Sequence, residues 1–410
     1  MRSSRLAMTA GVTAVLLSAA ACSSSSTSGT AASAQGGSSA SSSTPTKAFT
    51  INSLLALSGP IAVIGEAMQQ ADKAALSVVN GQGGVFGKPV QLVVTDDGGD
   101  PTEAVAKIQT LISQGTLQAV QAGTISAEVD ATVPLLTKAQ VFTADHGIDT
   151  VMNNPSKYPY AFSSGYLPQD PANSLATEFS TAGYKKVGLV TDTTSGGLAQ
   201  EAADKIAFAA KGLTLVTANV PAGAVDATAQ LEQVLAAKPD VLLLDAYGAA
   251  AGPIVKARAE IDPKIPTYGG QLLAANNLGT LAPSSDYTGM KLQSIAVAVK
   301  GSAATQTPAF AKFYAALIKE TGGNLPFTMN TYVVAYDDII VATTAARLAK
   351  STNATKMADA MNSITAAEMP DYVGPVNYSS TDHFPTFGPP YWVFVSYGPL
   401  VNGQLVPSGS

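Results

Sequence analysis

From residue 48 onward, two hydrophobic patterns alternate along the chain. Short, continuous apolar runs, such as residues 241–244, are separated by longer segments in which apolar residues recur at helical spacing, as in residues 65–80. Continuous apolar runs are typical of strands that are buried on both faces of a parallel sheet, and the helical spacing predicts the helices that connect them. The pattern therefore predicts an α/β fold.

The predicted elements fall into two series, because the alternation stops near Gly165 and then resumes. Strands are predicted at residues 48–57, 88–95, 117–122, 139–144, 186–192, 213–220, 240–245, 266–271 and 391–396. Helices are predicted at residues 65–80, 101–115, 126–138, from 170, 198–211, 228–237, 252–260 and across 308–361. A chain of 410 residues exceeds what one hydrophobic core usually supports, so two doubly wound domains are expected.

The N-terminal segment has a different pattern. Residues 1–21 combine two arginines with an apolar run and end at Cys22, the only cysteine of the chain. This predicts a secretory signal and resembles a bacterial lipoprotein signal, in which the cysteine is lipidated and becomes the mature N-terminus. An ordinary signal peptide is the alternative. Residues 22–47 are rich in Ser, Thr, Ala and Gly, which predicts a flexible tether between lipid and domain.

Composition narrows the possible functions. The net charge is -6, and the sequence has no cluster of Lys and Arg, which argues against a nucleic-acid partner. With two histidines and one cysteine, the sequence offers no cluster typical of a transition-metal site. It also lacks the common hydrolase and nucleotide-binding motifs. We therefore expect neither an enzyme nor a bound cofactor.

Three motifs resemble one protein family in their order and spacing. They are Ser58-Gly59-Pro60, NGQGGVFGK at residues 80–88 and DDGGDP at residues 96–101. The chain resembles the branched-chain amino acid-binding, type I periplasmic solute-binding proteins of ABC importers. The aspartates of the third motif also suggest a calcium loop, but capping of the following helix by Asp100 explains that residue without a metal.

The resemblance implies two doubly wound, parallel-sheet lobes joined by three crossovers, with a ligand cleft between the lobes. We place the crossovers near Gly165, Val297 and Pro375. The first lobe then comprises 48–165 plus 298–375, and the second comprises 166–297 plus 376–410. The resemblance further implies a protein that delivers a small molecule to an ABC permease, and we expect it to be a monomer.

The resemblance also implies where the ligand binds. The ligand carboxylate is expected near Thr124 and Ser126, after the third strand, and the region after the fourth strand adds further contacts. The full set of expected ligand-binding residues is Ser58, Ile64, Thr124, Ser126, Asp145, His146, Gly196, Tyr247 and Gln271. No catalytic or metal-binding residue is expected.

Three of these positions depart from the amino acid-binding pattern. Ile64 and Gly196 stand near places where such proteins have tyrosines, and Gln271 stands where they have a glutamate that pairs with the ligand ammonium. Because a buried, unpaired charge is costly, we expect an apolar or aromatic carboxylate rather than a free α-amino acid. His146 adds a donor that is cationic if protonated.

Other interpretations stay open at this stage. A branched-chain amino acid or an amide is the alternative ligand, and a lipid-anchored sensor that regulates a partner is the alternative function. A hydrolase would need a nucleophile near His146 or His383. We expect His383 to serve loop structure, with cleft lining as its alternative.

Overall fold

A computed structural model describes residues 47–408. Cys22, the predicted signal segment and the tether as far as residue 46 lie outside the described residues. The described part contains two large sheets with helices on their faces, as the hydrophobic pattern predicts.

The first sheet has five parallel strands in the order β2-β1-β3-β4-β5. Its strands are β1 (Thr50–Leu55), β2 (Gln91–Asp96), β3 (Ala119–Gln121), β4 (Phe142–Asp145) and β5 (Ala161–Ser163). The helices that follow its first three strands are α1 (Ala62–Gly81), α2 (Pro101–Ser113) and α3 (Ser126–Lys138). We call this part the first lobe.

The second sheet has six strands in the order β11-β10-β9-β8-β6-β7, and only the β10–β11 pair is antiparallel. Its strands are β6 (Lys186–Asp192), β7 (Thr214–Val220), β8 (Val241–Asp245), β9 (Thr267–Gly269), β10 (Met290–Ile295) and β11 (Trp392–Ser396). The helices of this second lobe are α4 (Gln169–Thr181), α5 (Ser195–Ala210), α6 (Thr228–Ala236), α7 (Ala251–Ile261), α8 (Gln271–Ala274) and α9 (Leu278–Leu281).

The C-terminal helical region returns to the first lobe. It forms α10 (Pro308–Thr321), α11 (Met329–Ala349) and α12 (Ala354–Met361), followed after β11 by a small hairpin of β12 (Leu400–Val401) and β13 (Gln404–Leu405). Helix α11 packs against α1 and α12 and is buried along nearly its whole length. It therefore forms the centre of the first-lobe core.

The structure corrects the sequence prediction in two places. Strands β5 and β10 were not predicted, because β5 has only three residues and β10 mixes Lys and Gln with apolar residues. The single helical stretch predicted at 308–361 is three helices. After α12, Tyr378 and His383 hydrogen-bond to residues of β5, so this part of the chain lies against the first sheet.

The first and third sequence motifs hold the loops after β1 and β2 together. One carboxylate oxygen of Asp96 accepts N–H bonds from Leu57 at 2.8 Å, Ser58 at 3.2 Å and Gly98 at 2.9 Å. Asp100 caps α2 by accepting from Thr102 and Glu103, and Pro101 is the first helical residue, as predicted. These aspartates therefore order the backbone at the edge of the cleft.

No helix within residues 47–408 is both long and apolar enough to cross a membrane.

Candidate functional site

A cavity of about 350 Å³ lies between the two lobes, at the carboxyl ends of their parallel strands. This edge is where open α/β sheets bind ligands. Its apolar wall consists of Ile61, Ile64, Met68, Ile125, Ile148, Tyr166, Tyr247, Leu272 and Val334. Its polar lining includes Thr124, Ser126, His146, Thr194, Ser195, Asn330 and Thr331. In the described part of the chain, no Asp or Glu lines this cavity.

The structure brings most of the expected ligand-binding residues to this cavity. Those that line it are Ile64, Thr124, Ser126, His146, Gly196 and Tyr247. Ser58, Asp145 and Gln271 do not line it. Ser58 is exposed, whereas Asp145 and Gln271 are buried behind the wall.

Two hydroxyl groups at the first-lobe end of the cavity are oriented by backbone donors. The N–H of Ala56 donates to Thr124 Oγ1 at 2.8 Å, and the N–H of Ile148 donates to Ser126 Oγ at 3.1 Å. A hydroxyl that accepts a hydrogen bond still has its own proton to donate. Both hydroxyls can therefore donate to an acceptor in the cavity.

Helix α3 begins at Ser126, which carries the second of these hydroxyls. Its first N–H groups, at Ser126 and Ala127, have no acceptor within the helix, and the positive end of the helix dipole lies there. The buried Glu128 accepts the N–H groups of Thr124 and Ile125 and fixes the loop before the helix. This end of the cavity is consequently rich in donors.

Helix α5 begins on the opposite, second-lobe side. Thr194 caps it by accepting the N–H of Gly197 at 3.1 Å, and Ser195 and Gly196 line the cavity. A Cβ at Gly196 would have no neighbour closer than 3.9 Å, so the absence of a side chain leaves open volume. A Cβ at Gly197 would lie 2.6 Å from the carbonyl oxygen of Asp192, so only glycine fits there.

His146 lies at the cavity wall with both ring nitrogens engaged. Its Nδ1 lies 2.7 Å from Asp338 Oδ2, and its Nε2 lies 3.2 Å from the carbonyl oxygen of Thr124. Burial alone would lower the pKa of His146, but the Asp338 carboxylate and the two hydrogen bonds together raise it to about 9. The partner of His146 is thus Asp338 and not the adjacent Asp145, and the ring nitrogens are not free to bind a ligand.

A buried polar network continues below His146. Asp338 also accepts from Ser164 Oγ at 2.7 Å and from Gln121 Nε2 at 3.3 Å. Gln121 in turn donates to Asp72 at 3.0 Å, and Ser53 donates to the other oxygen of Asp72 at 2.9 Å. The network therefore connects β1, β3, α1 and α11 beneath the site.

The remaining acids near the site are buried. Burial raises the pKa of Asp145 to about 8 and that of Asp72 to about 7, and it also raises the pKa of Glu128. Asp145 Oδ1 accepts the N–H of Gly147 at 3.1 Å. Near neutral pH the protonated form of Asp145 predominates, so it orders the loop and does not present a negative charge to the cavity.

Gln271 begins α8 and lies behind Tyr166, whose ring lines the cavity. Its side chain is buried, and its Oε1 atom has no hydrogen-bond partner among the described residues. Gln271 therefore influences the cavity through its contact with Tyr166 and does not itself form part of the wall.

His383 is a structural residue. Its Nδ1 lies 2.9 Å from the carbonyl oxygen of Ala161, and its ring stacks on Phe162 at 3.8 Å between centroids. Burial lowers the pKa of His383 to about 4, so the ring is neutral at physiological pH. It does not line the cavity, and within residues 47–408 no cluster of three or more His, Cys, Asp or Glu side chains is arranged to hold a metal ion.

Sequence reasoning missed Tyr166, Asp338 and the start of α11, where Asn330, Thr331 and Val334 line the cavity. The sequence does contain one signal that could have identified Asp338. Asp337 and Asp338 interrupt an otherwise apolar helical run, and adjacent acids within such a run indicate buried, partnered carboxylates. Tyr166 follows the first predicted crossover directly, which places it at the cleft.

Comparisons with known proteins agree with this architecture. The sequence model of the family described as Periplasmic binding protein matches residues 49–394. A relative named Leu/Ile/Val-binding protein BraC3, from Rhizobium johnstonii, is 22% identical over 351 residues, which cover 81% of this chain and 88% of the relative.

Two solved structures from Rhodopseudomonas palustris share the fold. An extracellular ligand-binding receptor is 17% identical with a TM-score of 0.74, covering 88% of this chain and 100% of its own. A solute-binding protein of an ABC transporter, solved with 3,4-dihydroxybenzoic acid, is 21% identical with a TM-score of 0.69, covering 82% and 90%. With its two α/β lobes and the family match across most of its length, the chain belongs to the periplasmic binding protein family, as a type I binding protein of the ABC-importer kind.

Proposed function

We propose that this binding protein takes up an apolar or aromatic monocarboxylate and delivers it to an ABC permease. The observation that carries the proposal is a pair of hydroxyls at one end of a largely apolar cavity, on Thr124 and Ser126, each of which accepts a backbone N–H and keeps its own proton to donate. The ligand carboxylate binds these hydroxyls and the N-terminus of α3.

The apolar body of the ligand lies against the rest of the wall. Ile61, Ile64 and Met68 form one side from the first lobe, and Tyr247 and Leu272 form the other from the second lobe. A cavity of about 350 Å³ is at the lower end of the usual range for ligand sites, so a small acid suits it better than a long-chain one. Gly196 adds room where a tyrosine would fill space.

A free α-amino acid suits this lining less well. Its ammonium group needs a carboxylate or several acceptors when it is buried, and no Asp or Glu among the described residues lines the cavity. Gln271, at the position where the family resemblance implies a glutamate, lies behind Tyr166. The charge of a protonated His146 also disfavours a second cation nearby.

The comparisons support a solute-binding role without choosing the ligand. One relative is named for leucine, isoleucine and valine, and one structure of the same fold holds a dihydroxybenzoic acid. The fold therefore accommodates both zwitterions and aromatic acids, and the choice rests on the lining residues.

We further propose that the protein acts outside the cytoplasm as a monomer attached to the membrane by lipid on Cys22. The support is the position of the single cysteine after an apolar, signal-like segment. The boundaries of the two lobes, with the third crossover after His383, are part of the same proposal.

A thermal-shift panel tests the ligand class, because a ligand that binds only the folded state raises the melting temperature. The panel contains aromatic and branched aliphatic carboxylates, their amides, and free amino acids. We expect the carboxylates alone to stabilise the protein. Thr124→Val and Ser126→Ala should remove that shift, whereas Ser58→Ala, at an exposed position outside the cavity, should not. Stabilisation by branched-chain amino acids alone would restore the amino acid assignment.

A further inference from the structure

His146 is enclosed by acceptors, and this determines its charge. Nδ1 faces the Asp338 carboxylate at 2.7 Å and Nε2 faces the Thr124 carbonyl at 3.2 Å. We infer that Asp338 holds His146 as an imidazolium near neutral pH at the donor-rich end of the cavity, and that Asp338 thereby acts as a positioning residue that selects anionic over neutral ligands. The inference rests on the proposed function for its ligand and on geometry for its charge.

The hydrogen-bond partners of His146 support its protonated form. A backbone carbonyl can only accept, so Nε2 must carry a proton to bond to Thr124. Ser164 Oγ lies 2.7 Å from Asp338 Oδ1 and Gln121 Nε2 lies 3.3 Å from Asp338 Oδ2, so both oxygens of Asp338 face groups that can donate to a carboxylate. The carboxylate then requires a proton on Nδ1 as well. With both nitrogens protonated, the ring is an imidazolium.

Four acids surround the ring of His146, each from a different element of the fold. Asp338 faces it from α11, Asp145 from β4, Asp72 from α1 and Glu128 from α3. Burial raises the pKa of Asp145 to about 8 and that of Asp72 to about 7, which reduces their negative charge near neutral pH, and it also raises the pKa of Glu128. Asp338 is thus the main counter-charge, and it lies on the side of the ring that faces the protein core, with its side chain fully buried.

His146 acts on the ligand without bonding to it. Both N–H groups are already used, and only 9% of the residue is exposed. Its ring lines the same cavity as the hydroxyls of Thr124 and Ser126, which are the proposed partners of the ligand carboxylate. The Nε2 hydrogen bond also fixes the Thr124 backbone, whose side chain is one of the two donors. Asp338 therefore affects binding through His146 and Thr124.

The protonation state of His146 can be measured in the ligand-free protein. The chain has only two histidines, so ¹H–¹⁵N correlation spectra of the imidazole nitrogens contain two ring systems, assigned with His146→Gln and His383→Gln. At pH 7.5 we expect the imidazolium pattern for His146 and a neutral tautomer for His383. A neutral His146 at pH 7.5 would overturn the inference.

The selectivity is tested with a pair of variants on one helix. Asp338→Asn removes the partner of His146. Asp337→Asn makes the same change at the preceding, equally buried residue, which accepts the N–H groups of Val373 and Gly374 and does not contact His146. Both variants are titrated with 4-methylpentanoate and with 4-methylpentanamide at pH 6 and pH 8.

In Asp338→Asn we expect the preference for the carboxylate over the amide to fall by about tenfold at pH 8, the effect of losing one charge-assisted interaction. The preference should stay reduced at pH 6, because burial lowers the pKa of His146 once Asp338 no longer raises it. Asp337→Asn should keep the original preference at both pH values. An unchanged preference in a folded Asp338→Asn protein would refute the selecting role.

The outcomes separate this inference from the proposed function. If the carboxylate binds and His146 is neutral, the inference fails and the function stands. If His146 is an imidazolium and no carboxylate of the panel binds, the proposed function fails together with the selecting role of Asp338. If Asp338→Asn does not fold, the nitrogen spectra of the unmodified protein still decide the charge of His146. Ser164→Ala, which removes one donor to Asp338, then replaces Asp338→Asn in the titrations. We expect it to lower the preference for the carboxylate by a smaller factor.

Discussion

The Nδ1 atom of His146 lies 2.7 Å from Oδ2 of Asp338, across a sequence separation of 192 residues. The contact joins the loop after β4 to the middle of α11, so the C-terminal helical region holds a residue of the ligand cavity in place. The charge at the donor-rich end of the cavity consequently depends on two distant parts of the chain.

The hydroxyls of Thr124 and Ser126 should each contribute to carboxylate affinity. A hydrogen bond to a charged group contributes roughly 1.5–3 kcal/mol, so Thr124→Val or Ser126→Ala should each weaken binding about tenfold or more. Isothermal titration calorimetry measures the loss. The exposed Ser58→Ala variant is the control, and a comparable loss there would show that the effect is not specific to the cavity.

Gly196 and Gly197 should respond in opposite ways to alanine. A Cβ at Gly196 would make only ordinary contacts, at 3.9 Å, whereas at Gly197 it would lie 2.6 Å from a backbone oxygen. Gly196→Ala should leave the melting temperature unchanged or slightly higher and weaken binding of the bulkier ligands. Gly197→Ala should lower the free energy of unfolding by about 1–3 kcal/mol, the usual cost of overpacking. Equal destabilisation by both variants would contradict this geometry.

Stability should fall as the pH rises from about 6.5 to 9. The pKa of His146 is raised to about 9, so its stabilising charge is fully present below its ordinary pKa and is lost as the pH passes 9. The pKa values of Asp72 and Asp145 are also raised, to about 7 and about 8, so these groups must ionise while buried as the pH rises. All three shifts therefore act in the same direction.

Urea unfolding at a series of pH values measures this dependence. Asp145→Asn should flatten the fall between pH 6 and 8, because one ionising group is removed. A free energy of unfolding that rises from pH 6.5 to 9 would contradict the assignment of these protonation states.

Much of the fold follows from local pattern. The apolar run at 241–244 and the capping residues Asp100 and Pro101 mark their elements because strand burial and helix capping depend on neighbouring residues in sequence. Strand β10 was not predicted, because its buried Gln293 breaks the apolar pattern. The hydrogen-bond partner of Gln293 is set by tertiary structure.

The site could be predicted only in part, because local sequence patterns do not record tertiary contacts. Thr124, Ser126 and Gly196 follow strand ends or begin helices, so the fold alone places them at the cleft edge. Asp338 and Tyr166 depend on how α11 and the first crossover pack against other elements. The environment of Gln271 likewise depends on Tyr166, and no local pattern records that contact.

The proposed anchor predicts a change of location. Cys22→Ser should move the protein from the membrane fraction to the soluble fraction of cells while its circular dichroism spectrum stays the same. Continued membrane association of the variant would contradict the lipidation of Cys22.

The most direct test of the ligand assignment compares leucine with 4-methylpentanoate, which has the same carbon skeleton and carboxylate but no ammonium group. Calorimetric titration of both ligands under the same conditions isolates the effect of that single charge. Because no carboxylate in the described part of the chain lines the cavity, we predict that 4-methylpentanoate binds at least about tenfold more tightly. Leucine binding at low micromolar affinity or tighter, with the deaminated acid weaker, would contradict the account.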